Sequence, residues 1–206
     1  NISMWGPQAR RFVLASSDAV WAMVEHRLSL DALVRLRRQL SFEGWNLIGV
    51  PARPSASGKA LSGGAMFLVR KHLAIWPFAD GGIAHDAPAA GYGHDWVACR
   101  IALKGSSLCL ILVYLTNQSG EDARTVNQVK MREIANFVDT VDMPVALLGD
   151  WNLQPEALRA SGLLTLLAPR EMEISTPNLP FTCSGGAGTM LDYLVLDRKA
   201  AAVVSQ

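Results

Sequence analysis

Short apolar stretches alternate with amphipathic stretches along the chain, which is the pattern of a mixed α/β domain. The runs "MPVALLG" and "MLDYLVLD" are short and almost wholly apolar, as in buried strands. The runs "WVACRIAL" and "LCLILVYL" are separated by "KGSS" and predict a hairpin. Because a hairpin joins antiparallel strands, the sheets of this domain are not wholly parallel.

Helices are predicted between these strands. Leucines recur every three or four residues in "SLDALVRLRRQL", and Ser29 precedes them as a candidate N-cap. The stretch "EDARTVNQVKMREIANFVDTV" places these apolar residues near one helical face: Val126, Val129, Ile134, Phe137 and Val138. "PEALRASGLLTLL" predicts a further helix, while "NISMW" and "AMFLVRKHLAIW" predict two more strands.

Composition indicates one folded domain over residues 1–206. Half of the 206 residues are hydrophobic and 18% are charged, which provides a sizeable core and excludes intrinsic disorder. The net charge of +1 means that binding of nucleic acid depends on local basic patches. No apolar run is long enough to span a membrane. Three widely spaced cysteines favour a reducing intracellular compartment, the nucleus or the cytoplasm.

Polar side chains of one chemical type stand at the ends of several predicted strands. Glu25 follows "AMV", Tyr114 ends "LILVY", and Asp192 begins "DYLVL". Asp150 and Asn152 follow "ALLG", and strand alternation predicts that they point to the same side. Hard oxygen donors from several strand ends are typical of a Mg²⁺ site that substrate phosphate completes. The alternative is that each residue separately caps an element or faces water.

The motif "GDWN" resembles the GDxN motif of the endonuclease/exonuclease/phosphatase superfamily. The order of the other landmarks is also similar: an opening strand with Asn, "DAVWAMVEH", "GGAMFLVRKHL", "LILVYLTN" and finally "MLDYLVL". The resemblance spans nearly the whole chain. It implies an α/β (α+β) fold, a four-layer α/β/β/α sandwich of two mixed sheets with outer helices.

The resemblance also implies an activity: Mg²⁺-dependent hydrolysis of phosphodiester bonds, with Mn²⁺ as a substitute. The nearest subfamilies are the apurinic-type and LINE-type retroelement endonucleases, so DNA is the expected partner. Carried over residue by residue, Glu25 and Asn1 bind the metal. Asp150 orients or deprotonates the attacking water, Asn152 hydrogen-bonds the phosphate or the nucleophile, and Tyr114 donates to a phosphate oxygen.

Three departures from the superfamily pattern bear on activity. Val24 replaces the Gln that precedes the metal-binding Glu, and Thr116 replaces the Pro that follows the Tyr of the "V-Y-x-P" strand. Asp192 matches an acid that positions a catalytic His, but no His follows it before Gln206. We therefore expect a longer natural polypeptide that supplies a final Asp-His strand. Without that strand we expect an exposed sheet edge beside "LDYLVL", marginal stability and low activity.

Substrate contacts are predicted from basic and aromatic residues. Arg10 and Arg11 follow the first predicted strand, where substrate loops lie in the superfamily. Trp151 occupies the variable position of GDxN, where an indole packs under the site or stacks on a base. His26 follows Glu25, and alternation directs it away from the site, toward solvent.

Two other functional classes remain open on these residues. One is a phosphatase of the same fold that acts on inositol phosphates or phospholipid head groups, although the sequence has no strong basic loop signature. The other is a folded relic that binds but does not catalyse. The missing final pair and Val24 both favour the relic.

Overall fold

The computed structural model describes residues 5–55, 58–78, 92–93, 95–117, 121–183 and 188–204. Asn1 and the rest of the predicted opening strand "NISM" lie outside these residues. The helices are α1 (Pro7–Ala15), α2 (Leu30–Phe42), α3 (Glu121–Asp139), α4 (Pro155–Ala160), α5 (Leu163–Leu166) and α6 (Arg198–Val204).

The strands are β1 (Val20–Val24), β2 (Trp45–Val50), β3 (Arg53–Pro54), β4 (Leu61–Ser62), β5 (Ala65–Arg70), β6 (Ile75–Pro77), β7 (Tyr92–Gly93), β8 (Trp96–Leu103), β9 (Ser106–Tyr114), β10 (Val145–Asp150), β11 (Glu173–Ser175) and β12 (Asp192–Leu196).

Two sheets of unequal size form the centre of the molecule. The small sheet has the order β1-β5-β2 and is antiparallel. The large sheet has the order β11-β12-β10-β9-β8-β6, and β7 pairs with β8 beside this path. The large sheet is mixed, because β9 and β10 are parallel while β10 and β12 are antiparallel. A short ribbon of β3 and β4 lies apart.

The layers follow from which apolar faces meet. Side chains from the inner faces of both sheets share one buried cluster, which includes Phe67 and Leu112. Helices α1 and α2 cover the outer face of the small sheet in a second cluster. Helices α3, α4 and α5 cover the outer face of the large sheet in a third. The result is the predicted four-layer α/β/β/α sandwich of two sheets.

Several local predictions are confirmed. The Ser29 side chain accepts a hydrogen bond from the Ala32 N–H at 3.3 Å and caps α2. Strands β8 and β9 form the predicted hairpin, with a turn at Lys104-Gly105 that is shorter than "KGSS" implied. Helix α3 is also present, but Val126 and Val129 are each 46% exposed, so its buried face is narrower than predicted.

Other segments differ from their predictions. Residues 7–15 form a helix that was not predicted, and Pro7 begins it because proline fits the first helical turn. "AMFLVRKHLAIW" forms two strands in different sheets, separated by a turn. The helix in "PEALRASGLLTLL" is interrupted at Gly162, whose φ of +88° breaks the helical path.

The expected exposed edge beside β12 is wrong. Strand β12 pairs with β10 on one side and with β11 on the other, where Ile174 lies opposite Val195. Beyond the end of β11, the Thr182 hydroxyl oxygen accepts the N–H groups of Leu191 and Asp192 at 2.8 and 2.9 Å. Strand β11 and the Thr182 side chain thus provide hydrogen-bond partners for the backbone along this edge of β12. Within the described residues, no helix is long and apolar enough to cross a membrane.

Candidate active site

A row of polar residues crosses the large sheet at one level. Asp192, Asp150 and Tyr114 are direct register partners on β12, β10 and β9. The Tyr114 N–H donates to the carbonyl of Asp95, which continues the row to the start of β8 at 2.9 Å. Leu148 and Leu112 lie two residues earlier on their strands and face the small sheet. Alternation therefore directs Asp150 and Tyr114 into the space between the sheets.

Local backbone geometry shapes the Gly149-Asp150 motif. Gly149 has a φ of +153°, and a Cβ there would lie 1.8 Å from the Val113 carbonyl oxygen. Only glycine fits this close approach. The strand ends at Asp150, whose Oδ1 accepts the Asn152 N–H at 3.0 Å. This turn brings Asn152 to a φ of +47°, so the two side chains are neighbours through a turn and not through strand alternation.

The Asn152 side chain is held by the neighbouring strand end. Its Nδ2 donates to the Leu115 carbonyl at 2.7 Å, and the Leu115 N–H donates to the Asp150 carbonyl at 3.0 Å. Asp150 itself is 7% exposed. The motif is therefore a rigid turn that presents a carboxylate and an amide oxygen from one side of the site.

Glu25 belongs to the small sheet and reaches the same end of the sandwich. It follows β1 with a φ of +53°, and its carboxylate lies near the Tyr114 phenol, whose pKa it raises. Arg27 Nη2 lies 3.9 Å from Glu25 Oε1 and is a weak ion-pair partner. Glu25 and Tyr114 thus bring the two sheets together at the position where Asp150 also lies.

Burial changes the acidity of two groups in the row. It raises the pKa of the Tyr114 phenol, and the nearby Glu25 carboxylate raises it further, so the phenol stays protonated. Burial also raises the pKa of the Asp192 carboxyl, while a hydrogen bond from the Thr182 hydroxyl lowers it. The site thus combines a donor phenol with carboxylates in partly dry surroundings.

The site opens into a groove of about 600 Å³ between the two sheets. Trp21 of β1, Leu148 of β10 and Phe181 contribute apolar walls, and Asp150 and Asp192 lie along it. Ligands therefore have access to the carboxylates from the space between the sheets.

A Mg²⁺ ion takes one or two carboxylates from a protein, while water and phosphate supply the other oxygens. Glu25 suits this role, because its side chain is 23% exposed and faces Tyr114 near Asp150. Among the described residues, no group of three or more His, Cys, Asp or Glu side chains forms a metal site. The residues fit an ion with few protein ligands and do not fit a cage built wholly from protein.

Trp151 is part of the core. Its side chain is fully buried, its Nε1 donates to the Tyr193 carbonyl at 3.0 Å, and its ring stacks on Tyr193 at 5.7 Å. An indole in this position has no face to offer to a base. Of the two interpretations of Trp151, packing under the site is the one that its burial allows, and the substrate-binding interpretation is wrong.

The structure does not bring Arg10 to the site. Both Arg10 and Arg11 lie on α1, outside the small sheet, and not on a substrate loop. Arg10 forms an ion pair with Glu43, next to Trp45 at the start of β2. Trp45 is at one end of β2, whereas Val50, which pairs with β5 beside the site, is at the other end. The predicted substrate role of Arg10 is therefore wrong, and Arg11 is exposed on the same outer helix.

His26 is fully buried, contrary to the prediction of a surface residue. Its Nδ1 accepts the Leu28 N–H at 3.0 Å, and its Nε2 donates to the Val50 carbonyl at 3.1 Å. Burial lowers the pKa of His26 to about 4, so the ring is neutral near pH 7. Because Glu25 leaves the extended conformation, alternation fails here and His26 turns inward to hold the loop.

Sequence reasoning missed two polar residues beside the row, the buried Lys130 and the partly buried Asp95. Lys130 Nζ lies 2.9 Å from Asp95 Oδ2, and the Lys130 side chain is 3% exposed. A signal for Lys130 was available, because it stands four residues before Ile134 and eight before Val138, on the apolar face of α3. The sequence around Asp95 contains no comparable pattern.

The chain has the fold of the endonuclease/exonuclease/phosphatase superfamily, as similar solved structures show. No family model matches the sequence, and no curated protein matches it.

Three solved structures illustrate the likeness. A variant of the 3′ phosphatase NExo from Neisseria, bound to a product DNA hairpin, is 14% identical, with 98% of this chain and 86% of that chain covered and a TM-score of 0.63. The AP endonuclease LMAP from Leishmania major is 14% identical over 94% and 74%, with a TM-score of 0.61. A beta hairpin deletion mutant of beta toxin from Staphylococcus aureus is 18% identical over 93% and 79%, with a TM-score of 0.60.

Proposed function

We propose that this chain is a divalent-metal-dependent phosphoesterase that hydrolyses phosphodiester bonds in DNA, most readily as an endonuclease. One observation carries the proposal: the row Asp192, Asp150 and Tyr114 on the large sheet lies beside Glu25, which follows strand β1 of the small sheet and is close enough to raise the pKa of Tyr114. Solved structures of the same fold include AP endonucleases and a 3′ phosphatase with a DNA product, which supports a nucleic-acid substrate.

Each residue of the row suits one need of phosphodiester hydrolysis. The Asp150 carboxylate accepts hydrogen bonds and suits the orientation and deprotonation of a water molecule. The Tyr114 phenol stays protonated and suits donation to a phosphate oxygen as negative charge develops there. Asn152 Nδ2 donates to the Leu115 carbonyl, and its Oδ1 suits the acceptance of a hydrogen bond from the nucleophile.

Glu25 would hold Mg²⁺ or Mn²⁺, and Asn1, outside the described residues, would add a second oxygen ligand. The ion supplies charge neutralisation and Lewis-acid polarisation of the phosphate when it is bound. Glu25 meets this need with the Tyr114 phenol beside it, since a carboxylate has several acceptor positions. Asp192 lies beside Asp150 in the row and orients a proton-carrying group or a water molecule in the groove.

A panel of substrates tests the proposal. Purified protein with Mg²⁺ is incubated with supercoiled plasmid, abasic duplex, duplex with a 3′-phosphate end, RNA and an inositol phosphate. We expect cleavage of at least one DNA substrate, and loss of that cleavage in Asp150→Asn. The matched control is Asp139→Asn, an exposed acid at the far end of α3, which should keep wild-type activity.

The outcomes separate the three functional classes. Release of phosphate from the inositol phosphate alone would support the phosphatase. Binding of DNA without cleavage of any substrate would support the non-enzymatic relic. Equal cleavage by Asp150→Asn and wild type would contradict the assigned site even if nuclease activity is present.

A further inference from the structure

Lys130 is a buried cation whose three donors are all used. Its Nζ donates to Asp95 Oδ2 at 2.9 Å, to the Tyr114 carbonyl at 3.2 Å and to Thr116 Oγ1 at 3.0 Å. The same Nζ lies 5.7 Å from the centre of the Tyr114 ring. One side chain of α3 therefore contacts the backbone and the ring of the tyrosine in the candidate site.

The three carbonyls of the segment 114–116 accept hydrogen bonds from side chains of other elements. Its three carbonyls accept, in chain order, from Lys130 Nζ at 3.2 Å, Asn152 Nδ2 at 2.7 Å and Asn127 Nδ2 at 3.1 Å. The Thr116 N–H donates back to Asn127 Oδ1 at 2.8 Å. In the superfamily pattern a proline stands where this chain has Thr116. A proline would restrict the backbone but would have no N–H to donate to Asn127. In this chain the hydrogen bonds to the segment 114–116 restrict the backbone instead.

Asp95 extends the same network to the loop that carries Glu25. Its Oδ1 accepts the Gly64 N–H at 3.0 Å, just before β5 of the small sheet. A Cβ on Gly63 would lie 2.1 Å from Asp95 Oδ1, so the carboxylate is tightly packed on this turn. The Gly63 carbonyl accepts the Arg27 N–H at 3.2 Å, two residues after Glu25.

Stability alone does not explain this pair. A buried ion pair is frequently no more stabilising than apolar side chains of the same volume, because both charges lose their hydration. Lys130 and Asp95 differ from a generic pair in what they contact, because one holds the strand end with Tyr114 and the other holds the turn beside the Glu25 loop. The pair thus links the two elements whose side chains meet in the candidate site.

We propose that Lys130 and Asp95 are positioning residues that hold the end of β9, with Tyr114, in place beside the loop that carries Glu25. The pair does not touch the substrate. Its effect on catalysis rests on the proposed function, since a displacement of about 1 Å in a site can lower a rate on the order of a hundredfold. Its effect on the position of Tyr114 does not depend on any activity.

The test uses Lys130→Met, Lys130→Arg and the double variant Lys130→Met with Asp95→Asn. Lys104→Met is the matched control, because Lys104 is exposed in the turn at the far end of the same hairpin. The first measurement is the NMR signal of the Tyr114 ring in protein with ¹³C-labelled tyrosine, assigned with Tyr114→Phe. The second is kcat and KM on the DNA substrate that the panel identifies.

In Lys130→Met we expect a displaced Tyr114 signal and a kcat lower on the order of a hundredfold, with KM changed by less than about twofold. Lys130→Arg should keep a Tyr114 signal and a kcat close to those of the wild type, because the guanidinium still donates to Asp95. Lys104→Met should match the wild type. If Lys130→Met does not fold, the double variant answers the question, since it leaves no unpaired buried charge.

A folded double variant with the wild-type Tyr114 signal and kcat would overturn the proposal. If the wild type cleaves no substrate but the Tyr114 signal moves in Lys130→Met, the proposed function fails and the positioning role stands. If cleavage is present and neither the signal nor kcat changes, the proposed function stands and the positioning role fails.

Discussion

Asp150 and Asp192 are direct partners in the antiparallel pair of β10 and β12, so their side chains leave the same face of the large sheet side by side. The two carboxyl groups therefore face the same solvent-filled space, and the charge of each acts on the other. Burial raises the pKa of Asp192, whereas Asp150 Oδ1 accepts the Asn152 N–H at 3.0 Å. The two acids are therefore in different surroundings and suit different roles.

Asp150→Asn should lower any cleavage rate on the order of a hundredfold or more, because the amide cannot take a proton from water. The fold should persist, since an amide oxygen still accepts the Asn152 N–H. Single-turnover kinetics and thermal melts measure the two effects. A rate equal to that of the wild type would show that Asp150 has only a structural role.

Removal of divalent metal with EDTA should abolish cleavage, and Mg²⁺ or Mn²⁺ should restore it. Glu25→Gln should weaken the binding of Mg²⁺ at least about tenfold, because it removes the carboxylate charge of the candidate ligand. Isothermal titration calorimetry with Mg²⁺ alone measures this without reference to activity. Unchanged affinity in Glu25→Gln would contradict the assignment of Glu25.

Asp192→Asn should raise the melting temperature by a few degrees at neutral pH. The folded-state pKa of Asp192 is raised above its unfolded value, so the folded protein binds more protons between the two pKa values. Stability from this group is therefore present below the unfolded pKa and is lost as pH rises through the folded pKa. Melts from about pH 4 to about pH 8 should show the variant's advantage growing with pH. Asp139→Asn should show no such trend.

Gly149→Ala should destabilise the fold on the order of 3 kcal/mol, because its Cβ would overlap the Val113 carbonyl oxygen. Gly6→Ala is the control, since no atom lies within 4 Å of a Cβ built there, and it should cost about 1 kcal/mol or less. Urea unfolding of both variants measures the difference. Similar urea midpoints for the two variants would mean that β9 and β10 can move apart at Gly149 with little loss of stability.

Trp151→Phe should lower stability by about 2 kcal/mol, because the Tyr193 carbonyl loses the indole donor and the core loses volume. KM for the DNA substrate should stay within about twofold of the wild type, since Trp151 is fully buried. A large rise in KM with unchanged stability would restore the interpretation that Trp151 stacks on a base.

Local sequence patterns account for most of the framework. Apolar runs predicted β1, β8, β9, β10 and β12, because the side chains of buried strands meet the core over their whole length. Ser29 marked the start of α2 through its capping chemistry. The spacing of "GDWN" and "LDYLVL" led to the superfamily whose fold the chain has, and to Asp150 and Asp192 as candidate site residues.

The surroundings of those residues are set by tertiary contacts, which local sequence patterns do not predict. His26 turns inward because Glu25 adopts a positive φ, which no periodicity reveals. Trp151 is buried because β12 presents Tyr193 beneath it, 42 positions away in the chain. Lys130 and Asp95 meet because α3 packs across the ends of β8 and β9. Sequence patterns report local periodicity, whereas these contacts join residues far apart in the chain, and only chain folding brings such residues together.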